Sequence, residues 1–134
     1  MAFVHGKTAT FKIHDGTSLR DLSAYVTNTE HPFDVDTSET TTYGKNSKTY
    51  LAGLKGAKFD IDFGWDSTVT TGPDAVLWAI YNAGGSVSAY QFSPNGTLVY
   101  SGAAVMTGYS VSAPVGGQVV GKASFVVTGD VARA

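Results

Sequence analysis

From Lys58 to Trp65 the chain alternates without a break, with Phe59, Ile61, Phe63 and Trp65 on one side and Lys58, Asp60, Asp62 and Gly64 on the other. A period of two is the signature of a half-buried β-strand. Burying the four apolar side chains is worth about 1.5–3 kcal/mol each, roughly 6–12 kcal/mol together, so a slip of one residue is prohibitive. The register of this strand is fixed, with one dry face and one wet face.

Further segments fit the same plan: Thr8–His14, Leu22–Thr29, Val87–Ser93, Thr97–Tyr100, Ala103–Ser112 and Val119–Thr128, several of them rich in Val, Thr, Tyr and Phe. Turn chemistry falls between them at Asp15-Gly16, Pro94-Asn95-Gly96 and Pro114-Val-Gly-Gly117, the last joining two long strands as a hairpin. One helix interrupts the strands over 73–83, with Pro73 in its first turn, Asp74 near its positive end, Val76, Leu77 and Ile80 as its buried stripe, and Gly84-Gly85 as its stop. Trp65 and Trp78 are both expected on buried faces or flanks. Residues 36–56 have too little periodic apolar content for a core element and read as a long polar loop, a length that points to function or disorder. Tyr43, Tyr50, Leu51 and Leu54 argue against disorder. With 134 residues there is room for one core, so 1–134 is expected to be a single domain. The fold class is mostly β: an antiparallel β-sandwich or partial barrel with one short flanking α-helix and a long loop.

Composition narrows the function. Charged residues make up 15% of the chain, against about 25% in an average domain, and mean hydropathy is zero. A net charge of -2 with no basic cluster argues against sequence-specific DNA binding. The absence of cysteine excludes disulfides and thiolate chemistry and suits a reducing cytoplasm. Met1–Lys7 lacks the apolar core of a signal peptide, and no apolar run reaches the length of a membrane span, so neither a leader nor a membrane is expected. His5, His14 and His31 lack metal-site spacing and read as surface or partly packed residues. Asp34-Val-Asp36 and Asp60-Ile-Asp62 lack the partners of an acid–base pair or a calcium loop, and solvated strand faces explain them better. No phosphate loop or nucleophile elbow is present, so no catalytic residue, cofactor or metal is expected. Asp60 and Asp62, about 7 Å apart by strand rise, repel by about 0.6 kcal/mol in water and about 2.4 kcal/mol at a dielectric near 20. That pair belongs in water or a wet channel.

In order along the chain stand Asp21-Leu-Ser-Ala-Tyr-Val-Thr27, Thr41-Thr-Tyr-Gly-Lys45, Thr49-Tyr-Leu-Ala-Gly-Leu-Lys55, the Phe59–Trp65 strand, the short helix, Tyr109-Ser-Val-Ser-Ala-Pro-Val-Gly-Gly117 and Phe125-Val-Val-Thr-Gly129. This ordered set resembles the tail tube, or major tail, proteins of long-tailed bacteriophages over nearly the whole chain, although no single motif is specific. The resemblance implies a virion structural protein, assembled in the host bacterial cytoplasm, whose homo-oligomeric rings, commonly hexameric, stack into a tube through which DNA passes without specific binding. It also implies tape measure, terminator and baseplate proteins as partners. On it, Lys58, Asp60, Asp62 and Lys122 are candidates for the lumen wall, and Tyr43, Lys45, Tyr50 and Leu51 for an inter-subunit loop. Capsid decoration and tail-completion (head-tail joining) proteins are the alternatives, a carbohydrate-binding sandwich is more distant, and an enzyme is the least favoured.

Overall fold

A computed structural model describes residues 6–68 and 71–134. His5 and most of the segment read for a leader lie outside the described residues. Eight strands, β1 (Thr10–His14), β2 (Leu19–Asp21), β3 (Val26–Glu30), β4 (Phe33–Glu39), β5 (Tyr50–Gly64), β6 (Ser86–Ser93), β7 (Tyr100–Ser112) and β8 (Val120–Arg133), form one antiparallel sheet with one α-helix, α1 (Pro73–Asn82). The spatial order is β2-β1-β6-β7-β8-β5-β3, and β4 pairs with β5 in line with β3.

The sheet folds over on itself. Phe59 of β5 meets Phe11 of β1 and Tyr90 of β6, with ring centroids 5.7 and 4.4 Å away, although neither strand is its neighbour in the sheet. The two ends of the sheet are drawn together by the Leu22–Tyr25 turn, where the Leu22 N–H donates to Phe11 O at 3.0 Å and the Val26 N–H to Leu22 O at 3.1 Å. This is the expected partial barrel. Its interior is filled by Phe11, Ile13, Phe59, Ile61, Phe63, Tyr90 and Phe125, with Val76, Leu77 and Ile80 of α1 closing one side. The alternation at 58–65 holds as read through Phe63, while Trp65 is only partly buried and donates its indole N–H to Asp74 at 3.2 Å. The helix stops where Gly84 and Gly85 take left-handed φ angles of 95° and 88°, which turns their N–H groups onto the carbonyls of Tyr81 and Ile80.

Four expectations need correction. The 36–56 segment is not a loop: β4 and the first half of β5 make a β-hairpin with only 40–49 at its tip. Backbone pairing needs no apolar period when both faces meet solvent, and Thr40 and Thr49 bond through both main chain and hydroxyls to close it. Of the Leu22–Thr29 segment only Val26–Thr29 is strand, within β3; residues 22–25 turn between β2 and β3, where Ser23 bonds Phe11 and Asp21. Thr97–Val99 stay outside the sheet, because the Asn95 side chain captures the N–H groups of Thr97 and Leu98. Trp78 is 52% exposed, on the solvent side of α1 and stacked on Tyr81.

Candidate assembly surfaces

Three surfaces stand out. The first is the wet face of the β5–β8 ladder. Pairing sets Asp62 opposite Lys122, Asp60 opposite Ser124 and Lys58 opposite Val126, all on the side away from the core. Lys58 and Lys122 are exposed and the two aspartates half-buried, and no ion pair joins them. On its other side Asp60 pairs with Glu30 and Asp62 with Asn28 of β3. The sequence-derived candidates for this face therefore do come together on one sheet surface.

The second surface is the hairpin. Cross-strand pairs Phe33–Ala57, Val35–Lys55 and Glu39–Tyr50 lie on one face, and Asp34–Gly56 and Ser38–Leu51 on the other. Large apolar side chains are exposed on both faces: Phe33, Val35 and Tyr50 on the first, Leu51 and Leu54 on the second. Tyr43 at the tip is fully exposed, and Lys45 beside it is exposed. The four loop candidates thus divide between the tip (Tyr43, Lys45) and opposite faces of β5 (Tyr50, Leu51). Sequence reasoning did not place Phe33, Val35 or Leu54 among the site candidates, although the alternation Phe33-Asp-Val35-Asp is itself a strand signal.

The hairpin is rooted in an aromatic nest. The His31 imidazole, between β3 and β4, stacks on Phe33, Phe59 and Phe92 at 4.5, 5.8 and 6.3 Å and leans on Tyr90 and Tyr100. Its Nε2 is 2.7 Å from the Tyr90 hydroxyl, whereas Nδ1 is buried without a hydrogen-bond partner. Burial lowers the His31 pKa and pushes the Tyr90 phenol up to about 12.

The third surface lies beside that root. Beyond the Lys58–Val126 pair, β5 turns toward the hairpin and leaves β8, opening a groove of about 490 Å³ floored by Phe33, Val35, Tyr100 and Val131. At the opposite end of β8 the β7–β8 turn projects, closed by the Gly117 N–H donating to Pro114 O. From Ala75 to Gly121, through α1, β6, β7 and that turn, no Asp, Glu, Lys or Arg occurs.

No protein-family model and no curated protein sequence matches the chain. Solved structures do match. The chain is similar to one from the tail of an empty gene transfer agent particle refined with C6 symmetry, with a TM-score of 0.80, 15% identity and coverage of 98% of this chain and 99% of that one. A chain from the native gene transfer agent virion gives a TM-score of 0.81 at 14% identity, covering 98% and 99%. The SPP1 tail tube gives 0.76 at 13% identity, covering 97% of this chain and 78% of that one. The class defined by these matches is the tail-tube fold, and the expected fold class holds over the 97–98% of the chain that they cover. At this level of identity the likeness speaks for the fold.

Proposed function

We propose that this chain is a virion structural protein that forms rings, six-membered by analogy with the C6 gene transfer agent tail, which stack into a tail tube that conducts DNA. The observation that carries the reading is the two-faced hairpin. An isolated two-stranded hairpin is marginal in water, and one exposing Phe33, Val35 and Tyr50 on one side and Leu51 and Leu54 on the other needs cover on both. Assembly with adjacent copies supplies that cover, within a ring and between rings. The Lys58, Asp60, Asp62 and Lys122 face is assigned to the bore, where carboxylates repel phosphates and the lysines moderate the repulsion. Tape measure, terminator and baseplate proteins are the fitting partners, and the virion tail the fitting location. A tube terminator of an extracellular contractile injection system is also similar, at a lower TM-score of 0.70, so the tube itself is the preferred role over a completion protein. Electron microscopy of the concentrated protein tests the proposal. Stacked rings are expected; discrete trimers would point to capsid decoration instead.

A further inference from the structure

Val115 sits at the apex of the β7–β8 turn with a relative exposure of 109%, more than twice that of the exposed valines of the strands it joins. Turn apices favour Gly, Asn, Asp and Ser, and a β-branched apolar residue there does nothing for the turn. Its neighbours Pro114, Gly116 and Gly117 are also exposed and uncharged. At the far end of the same ladder lies the groove floored by Phe33, Val35, Tyr100 and Val131. Two acids and two bases, Asp34, Asp130, Lys55 and Arg133, line the groove as well and leave it without net charge. With its charges balanced, such a groove has no net attraction for nucleic acid or for a peptide of one charge, and its Phe33, Val35, Tyr100 and Val131 floor suits an uncharged apolar knob.

Knob and groove cannot meet within one molecule, because β7 between them is 13 residues long, about 40 Å at strand rise. Two copies stacked end to end bring them together. We propose that the Pro114–Gly117 turn of one copy, led by Val115, seats in the hairpin-root groove of a second copy of this chain. The contact is heterologous: each copy offers its knob forward and its groove backward, so it does not close and propagates as a stack. The hairpin of the receiving copy then runs along the body of the copy seated at its root. In that position one of its apolar faces is covered.

This inference rests on the self-assembly reading and names the axial contact within it. Val115 touches nothing in the monomer, so Val115→Asp is expected to keep the wild-type melting temperature. It is expected to raise the protein concentration needed for tube growth by at least about tenfold, because the carboxylate must shed its water on entering a groove where Asp34 and Asp130 oppose it as much as Lys55 and Arg133 attract it. Tubes from Val115→Asp at the wild-type concentration would overturn the inference. A second measurement uses the cysteine-free background: Val115→Cys combined with Val35→Cys, treated with a short bis-maleimide, is expected to give a ladder of covalent multimers, while each single variant stops at dimers. Tubes without a ladder would sink the axial contact and leave the tube reading intact. Neither tubes nor ladder at any concentration would sink both.

Discussion

His31 shows how one side chain ties the hairpin to the core. Burial makes the folded protein hold its proton less tightly than the unfolded chain, whose histidines titrate near about 6.5. Its stabilising contribution is therefore complete above that value and is lost as pH falls toward the lower folded pKa. The polar group that meets its ring is the Tyr90 hydroxyl, and the other rings around it are Phe33, Phe59, Phe92 and Tyr100. The urea midpoint should fall between pH 7 and pH 5. In His31→Phe the fall should be absent, at a cost of about 1 kcal/mol for the orphaned Tyr90 hydroxyl; an unchanged slope would place the titrating group elsewhere. Asp15 acts further into the acid range. Burial raises its pKa, but the N–H groups of Ser18 and Thr17 and the Arg20 guanidinium, 2.8 Å away, outweigh this and bring it from 3.8 to about 2. That contribution is present above 3.8 and disappears as pH drops through about 2. Asp15→Asn should cost at most about 2 kcal/mol at neutral pH, reduced by solvent screening, and flatten the denaturation curve between pH 4 and 2.

Elements show where the sequence is readable. On β8 the inward positions run Gly121, Ala123, Phe125, and Gly121 lies directly against the Phe63 ring, so that a Cβ there would strike it. Gly121→Ala should cost about 1–3 kcal/mol by overpacking, measured as a lowered melting temperature. An unchanged value would mean that the ring moves freely. Alternation made β5 legible from Lys58 onward, because one dry face imposes a period of two. The helix was legible from Pro73, its apolar stripe and the paired glycines. The hairpin was not, because its strands are wet on both faces and carry no period for burial to impose. What marked it was its threonines and the Phe33–Asp36 alternation, weak signals without a core behind them. Trp78 misled for the opposite reason: an apolar residue beside the Val76, Leu77 and Ile80 stripe falls outside it on the solvent side. The hairpin tip can be tested as an element. Deleting Thr41–Ser47 removes no core residue, so the monomer should fold with an unchanged core melting transition and fail to make tubes; tubes of normal length would free the tip of any role in stacking.

At the scale of the whole molecule, charge is partitioned. Nothing from Ala75 to Gly121 is charged, while Lys58, Asp60, Asp62 and Lys122 gather on one wet sheet face. The alternation of β5 and Coulomb's law suffice to assign that face to water, but neither distinguishes a bore from an outer wall, since one subunit alone has no inside. In the tube proposed above the distinction is measurable. The four side chains carry two positive and two negative charges, and Asp60→Lys with Asp62→Lys would make all four positive. Both aspartates lie on the wet face and, among the described residues, neither is held by an ion pair, so the double variant should fold and assemble. If the face lines the bore, variant tubes should retain short duplex DNA in a sedimentation assay at low salt and release it steeply as salt rises, because each neutralised phosphate frees a counterion. Protecting the retained DNA from nuclease would separate an inner wall from an outer one, since only the bore excludes the enzyme. Retention with full nuclease sensitivity would move Asp60 and Asp62 to the outside of the tube, and no retention at any salt would remove this face from the path of DNA.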